Sequence, residues 1–151
     1  MVITKELIRQ KFVEYNHLYF NNELPRCKFS VYNTKEELGL YTRDSIWIAR
    51  YPKNISKTAV WTEELFKEVL IHEMVHHYVV AVKNKRSFLC PHGWRFRRKC
   101  RELKRLHNIN VEIGVFIRRY AVLRQQPHLT LLNRVELVGL RFCNYLLGWV
   151  F

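Results

Sequence analysis

His72-Glu73-Met74-Val75-His76 is the stretch on which the reading of this chain turns. Two histidines four residues apart on a helix stand one turn apart on the same face. Both imidazoles can then reach one Zn²⁺, which takes ring nitrogens at about 2.0–2.1 Å. Glu73 follows the first histidine directly. It projects in a neighbouring direction, where it can meet a metal-bound water rather than the metal. Two nitrogen ligands, a general base and a water made acidic by an ion form the arrangement of a zinc-dependent peptidase. The alternative is a pair of core histidines satisfied by local hydrogen bonds.

The flanking residues place the motif on a helix. Thr62 reads as an N-cap, with Glu63 and Glu64 as the acids of a first turn. Leu65, Phe66, Val69, Leu70, Met74, Val79 and Val82 recur at roughly helical spacing. The motif therefore lies inside a buried helix of about 20 residues, where unpaired His and Glu are costly.

Upstream, Thr4 can cap a first helix reaching Phe20, with Ile8, Phe12, Tyr15 and Tyr19 on its apolar face. Asn21-Asn22 and Pro25 end it. A strand is expected near 27–33. A hairpin should follow, Leu38–Tyr41 and Ser45–Ala49, turning at Arg43-Asp44. Ile46 and Ile48 would face one side and Trp47 the other. Gly39 marks a bulge or a close backbone approach. An edge strand beside the motif helix would suit an extended peptide, and plain scaffold is the other reading of this sheet.

Downstream, Pro91 and Gly93 break the chain on either side of His92. A second helix is expected from about Trp94 to Leu106, with Phe96, Cys100, Leu103 and Leu106 facing inward. Val111, Ile113, Val115 and Ile117 alternate like a late strand. Pro127 precedes an apolar stretch, 129–151, that could cover the core, bind a partner or lie on a membrane surface. The domain expected is 1–126, with 127–151 as an apolar extension packed on it.

The charge is lopsided. Residues 1–82 hold 11 basic and 10 acidic side chains; residues 83–151 hold 15 and 3. That asymmetry suggests a polyanion partner, such as nucleic acid, or else a solvated basic face. Its centre is Arg95, Arg97, Arg98, Lys99, Arg101, Lys104 and Arg105, candidates for phosphate contacts. Trp94 could stack on an unpaired base or pack beside His92. The four cysteines form no C-x-x-C pair, which excludes a zinc ribbon and suggests reduced thiols. No signal peptide or membrane-spanning run is read, so a cytoplasmic protein is expected.

A catalytic zinc needs three protein ligands and an open position. Val79 and Val82 occupy the positions where a metzincin would carry glycine and a third histidine. His92 and Glu102 are the candidates that remain. His92 is favoured because its loop allows the ring to be aimed, whereas Glu102 can pair with Arg98 or Arg105 along its helix. His77 points about 100° away from His76 and suits a supporting or surface role.

The motif followed by His92-Gly93-x-x-Phe96 resembles the SprT-like zinc metallopeptidases, which include the eukaryotic Spartan protease. The resemblance runs through Tyr19-Phe20-Asn21-Asn22-Glu23-Leu24-Pro25, Leu38-Gly39, Ile46-Trp47-Ile48 and His107-Asn108-Ile109-Asn110, roughly residues 5–115. It implies an α+β, zincin-like minimal metallopeptidase domain, its active-site helix packed on a small, mainly antiparallel sheet. It implies His72, His76 and His92 as Zn²⁺ ligands, Glu73 as catalytic acid/base, a protein or peptide substrate, and proteolysis of DNA-associated proteins. Many members carry a C-terminal zinc ribbon or DNA-binding tail, and the apolar tail here departs from that pattern. The competing readings are a non-catalytic zinc-containing module that binds nucleic acid through 83–105, and a membrane-surface protein using 129–151.

Overall fold

The computed structural model describes residues 1–34, 37–42, 44–52, 59–83 and 91–111. The expected late strand beyond Val111 and the apolar segment 127–151 lie outside the described residues. Thr4 caps α1 (Lys5–Phe20) by accepting the Leu7 N–H at 3.1 Å. Asn21 closes the helix with a left-handed φ of 51°, a conformation asparagine tolerates. Ile8, Phe12, Tyr15 and Phe20 bury one face. Asn16, also buried, clamps the loop that follows: its amide donates to the Leu24 carbonyl at 3.0 Å and its carbonyl accepts the Leu24 N–H at 3.1 Å.

Three strands follow, β1 (Lys28–Tyr32), β2 (Gly39–Thr42) and β3 (Ser45–Ala49). The hairpin forms as expected, with Asp44 at φ 65° in its turn. The sheet order is β1-β3-β2, and β1 runs parallel to β3. The sheet is therefore mixed, a correction to the mainly antiparallel expectation. Alternation in the sequence identifies strands and a short turn. It does not say that β2 takes the outer place and that β3 returns between its two predecessors.

Register decides which side chains meet the helices. Phe29 and Val31 pair with Ile46 and Ile48, and Tyr41 and Gly39 pair with the same two residues from the other side. Paired residues share a face. Gly39 and Tyr41 therefore look toward the helices, while Leu40 and Trp47 look away.

Thr62 caps α2 (Glu63–His77), its hydroxyl accepting the Leu65 N–H at 3.2 Å. Leu65, Phe66, Val69, Leu70, Ile71, Met74 and Val75 are all buried, so the helix is enclosed nearly all round. It continues as a wider π-helical turn, Tyr78–Val82. Gly93 starts α3 (Trp94–His107), which buries Phe96, Cys100 and Leu103. Leu106 was expected inside but is 58 % exposed. The last turn of α3 instead sets the His107 ring against Tyr19, 5.2 Å between centroids, and Ile109 and Val111 beyond the helix are buried. Among the described residues, no helix is long and apolar enough to cross a membrane.

Candidate metal centre

α2 delivers His72 and His76 from successive turns, and the Pro91–Gly93 corner delivers His92 to the same point. The three Nε2 atoms form a nearly regular triangle: 3.1 Å from His72 to His92, 3.2 Å from His76 to His72 and 3.2 Å from His76 to His92. Nitrogens around a tetrahedral ion at about 2.0–2.1 Å stand about 3.3 Å apart, so the spacing fits. The chemistry of the donor set fits too. A proton on one Nε2 can serve one neighbouring nitrogen but leaves the third atom of such a triangle facing lone pairs or another proton. A cation satisfies all three at once. Burial, then the neighbouring His72 and His92, pulls the His76 imidazole down to about 3. Burial and Arg97 also lower His92. Both therefore stay neutral, as ligands must. These three histidines could hold a metal ion.

The triangle has a floor and a brace. The Phe96 ring lies 5.0 Å from the His72 ring, 4.5 Å from His76 and 4.8 Å from His92, centroid to centroid. Arg97 Nε donates to the His92 carbonyl at 3.0 Å and ties the corner to the first turn of α3. Glu102, the alternative ligand, is turned away. It accepts from Lys99 Nζ at 2.6 Å, rather than pairing with Arg98 or Arg105 as expected.

Glu73 is buried on the sheet side of α2. Burial first, then the negative charge of Glu37, pushes its carboxyl up to about 8, against a hydrogen bond from the Tyr41 backbone. Ala49 N–H donates to the Leu38 carbonyl at 2.9 Å. Alternation along an antiparallel ladder then turns the main-chain groups of Gly39 and Tyr41 toward the open edge of β2, where Tyr41 meets Glu73. Gly39 is needed here: a Cβ on it would stand 2.8 Å from Glu73 Oε1 and 2.8 Å from Val69 Cγ1. Of the two roles the sequence offered for Gly39, close approach is the one realised.

Two residues support the site: His77, whose supporting rather than surface role is the one realised, and Tyr41, which the sequence reading did not single out. His77 is 1 % exposed. Its Nε2–H donates to the Pro25 carbonyl at 2.9 Å, and its Nδ1 lies 3.2 Å from the Tyr41 hydroxyl. Tyr41 in turn reaches Asp44 Oδ1 at 3.1 Å. Its phenol is pushed up to about 12 by burial and by that hydrogen bond. Tyr41 thus joins the hairpin to the motif helix twice, through its backbone to Glu73 and its side chain to His77. Its parity with Gly39 on β2 was the available signal.

The basic residues divide into several groups. Lys99 is 4 % exposed, held by Glu102, with its ammonium 4.5 Å from the Tyr78 ring and 5.2 Å from Phe20. Its place between Phe96 and Leu103 puts it on the inner margin of α3, which removes it from the exposed candidates for phosphate contacts. Arg97 is engaged with His92. Arg95 and Arg98 flank the Trp94 ring at 5.6 Å each. Arg101, Lys104 and Arg105 are exposed. Trp94 itself is 60 % exposed and does not pack into the core beside His92.

No curated protein matches the chain. The sequence does match the SprT-like family over residues 8–115, a span containing most of α1, the whole sheet, α2, His92 and α3. That family is generally linked to zinc metallopeptidase activity, in keeping with three converging histidines. By a match over more than two thirds of its length, the chain belongs to the SprT-like family.

Proposed function

We propose that the protein is a zinc-dependent peptidase with a zincin-like active site, acting on proteins associated with DNA. The observation that carries the reading is the triangle of Nε2 atoms, 3.1–3.2 Å on a side, on the same helix as a buried glutamate. His72, His76 and His92 would hold the ion. When bound, zinc supplies Lewis acidity, lowering the pKa of a water towards about 7 and polarising a carbonyl.

The remaining chemistry belongs to the chain. A Glu73 carboxylate oxygen takes the proton of the attacking water and later gives it to the departing amide nitrogen. Burial makes that carboxylate a stronger base than an exposed glutamate. The open main-chain groups of β2 lie beside it and suit an extended peptide laid along the edge. The exposed Arg95, Arg98, Arg101, Lys104 and Arg105 favour a polyanion on the neighbouring face of α3. The competing reading, a closed structural zinc site in a binding module, needs a fourth protein ligand. Among the described residues the cluster offers three.

The test is metal content together with digestion of casein and histone, with and without DNA. Bound zinc, loss of cleavage on chelation and its return on adding zinc are expected. Cleavage indifferent to chelation would refute the reading.

A further inference from the structure

The polar residues of the motif helix fall into two pairs, each one turn apart. His72 and His76 face the metal centre together. Glu73 and His77, turned about 100° from them, share the neighbouring face, which lies against β2. Both are buried. The first pair shares one task, and the second pair meets one residue. Tyr41 reaches Glu73 with its backbone N–H and lies with its hydroxyl 3.2 Å from His77 Nδ1.

Little else holds β2 against α2. It is a four-residue edge strand, and its ladder runs to β3 alone. A ladder on one side fixes register but not the tilt of the strand toward a neighbouring helix. Leu40 and Thr42 point away and are exposed. Gly39 carries no side chain, and its bare backbone lets Glu73 and Val69 come close. Of the four residues, Tyr41 therefore supplies the side chain that faces α2. Its ring stands 5.4 Å from the His77 ring, and its hydroxyl donates to Asp44 of the hairpin turn at 3.1 Å. His77 is fixed from the far side. Its Nε2–H donates to the Pro25 carbonyl at 2.9 Å, and the Asn16 amide clamps the adjacent Leu24 through both main-chain groups. A chain of contacts thus runs from α1 through His77 to the strand whose backbone touches Glu73.

We propose that Tyr41 and His77 are positioning residues, which seat β2 at the height that aims the Glu73 carboxylate for proton transfer. The proposal rests on the peptidase function proposed above and adds how its base is held. In a purely structural role the same contacts would only pin the hairpin to the helix, and their loss would not act through Glu73. The two roles differ in kinetics. Glu73 accepts its proton in the chemical step, so a misaimed carboxylate lowers kcat and leaves KM nearly unchanged. A displaced peptide seat raises KM instead.

The experiment uses the full zinc-loaded chain and a fluorogenic casein substrate. Tyr41→Phe keeps the ring and removes the hydroxyl. His77→Gln keeps an N–H for Pro25 and removes the ring that meets Tyr41. Each variant should retain zinc and its thermal transition, and should lower kcat about 10-fold with KM changed less than about 2-fold. Each is then combined with Glu73→Gln. The double variants should be no slower than Glu73→Gln alone, because the missing hydroxyl or ring then has no base left to aim; independent losses would multiply. Unchanged kcat, a rise in KM alone, multiplied losses, or loss of zinc in both single variants would overturn the positioning role while zinc-dependent cleavage by wild type stands. If wild type cleaves without zinc, or not at all, both readings fall.

Discussion

α2 and α3 both carry polar residues at helical spacing, and the two use them in opposite ways. α2 is enclosed by apolar neighbours, and among them it buries His72, Glu73 and His77. None of these is cheap to bury, so each must be matched by a specific partner or by a ligand. α3 has one buried stripe and leaves most of its charge in water. Charge there is inexpensive and says little about any single residue. A buried polar group on α2 thus identifies chemistry residue by residue, whereas exposed charge on α3 identifies only a field. The instructive exceptions lie on α3. Lys99 is buried and paired, and Arg97 holds the His92 corner. Both were counted with the basic face, and both serve the architecture.

If the contrast is right, the largest effects should come from α2. Glu73→Gln should keep the metal and lower peptide hydrolysis by roughly 10²–10⁴-fold, since glutamine cannot accept the water proton. His92→Ala should release metal, while Glu102→Ala should not; metal analysis of the purified variants reads both. The reverse pattern would move the third ligand onto α3.

The same glutamate yields a pH test in the metal-free protein. The folded carboxyl keeps its proton up to about 8, while the unfolded one loses it above its ordinary value of 4.5. Between those values the folded state binds more protons, so stability should fall as pH rises. Glu73→Gln should remove that slope in urea melts of chelated protein. An identical slope in the variant would mean that another group causes it.

Gly39→Val comes next. The added Cβ meets Glu73 Oε1 and Val69 Cγ1, so either the carboxyl or the strand must move. Activity should fall on the order of 10²-fold, the scale of a misplacement of about 1 Å, with metal retained. Wild-type activity would show that the edge of β2 does not help position Glu73.

The smallest effects belong to α3 and divide within it. Lys99→Ala should cost about 1–3 kcal/mol of stability by stripping Glu102 of its partner and emptying the space beside Tyr78. Arg101→Ala and Lys104→Ala should stay within about 0.5 kcal/mol. Chemical denaturation of the three variants would sharpen the contrast, and equal losses would break it.

Much of this was legible because it is local. The caps at Thr4 and Thr62, the end of α1 at Asn21, the hairpin, and the one-turn spacing of His72 and His76 depend on residues within a few positions of one another. Backbone geometry then leaves few alternatives. His92 was reachable because two helix breakers mark a corner. Strand order was not legible, because pairing is a competition among edges that no single strand decides. Nor was the difference between Lys99 and Lys104, two lysines five residues apart whose fates depend on what the helix rests against. Tyr41 and His77, 36 residues apart, meet because β2 occupies the outer place beside α2. The sequence by itself determined which residues could do the chemistry, since ligand spacing is a property of one helix. Only the tertiary structure decided how Glu73 is buried, what braces His92 and that Lys99 is drawn inward, because burial and pairing depend on neighbours from other elements.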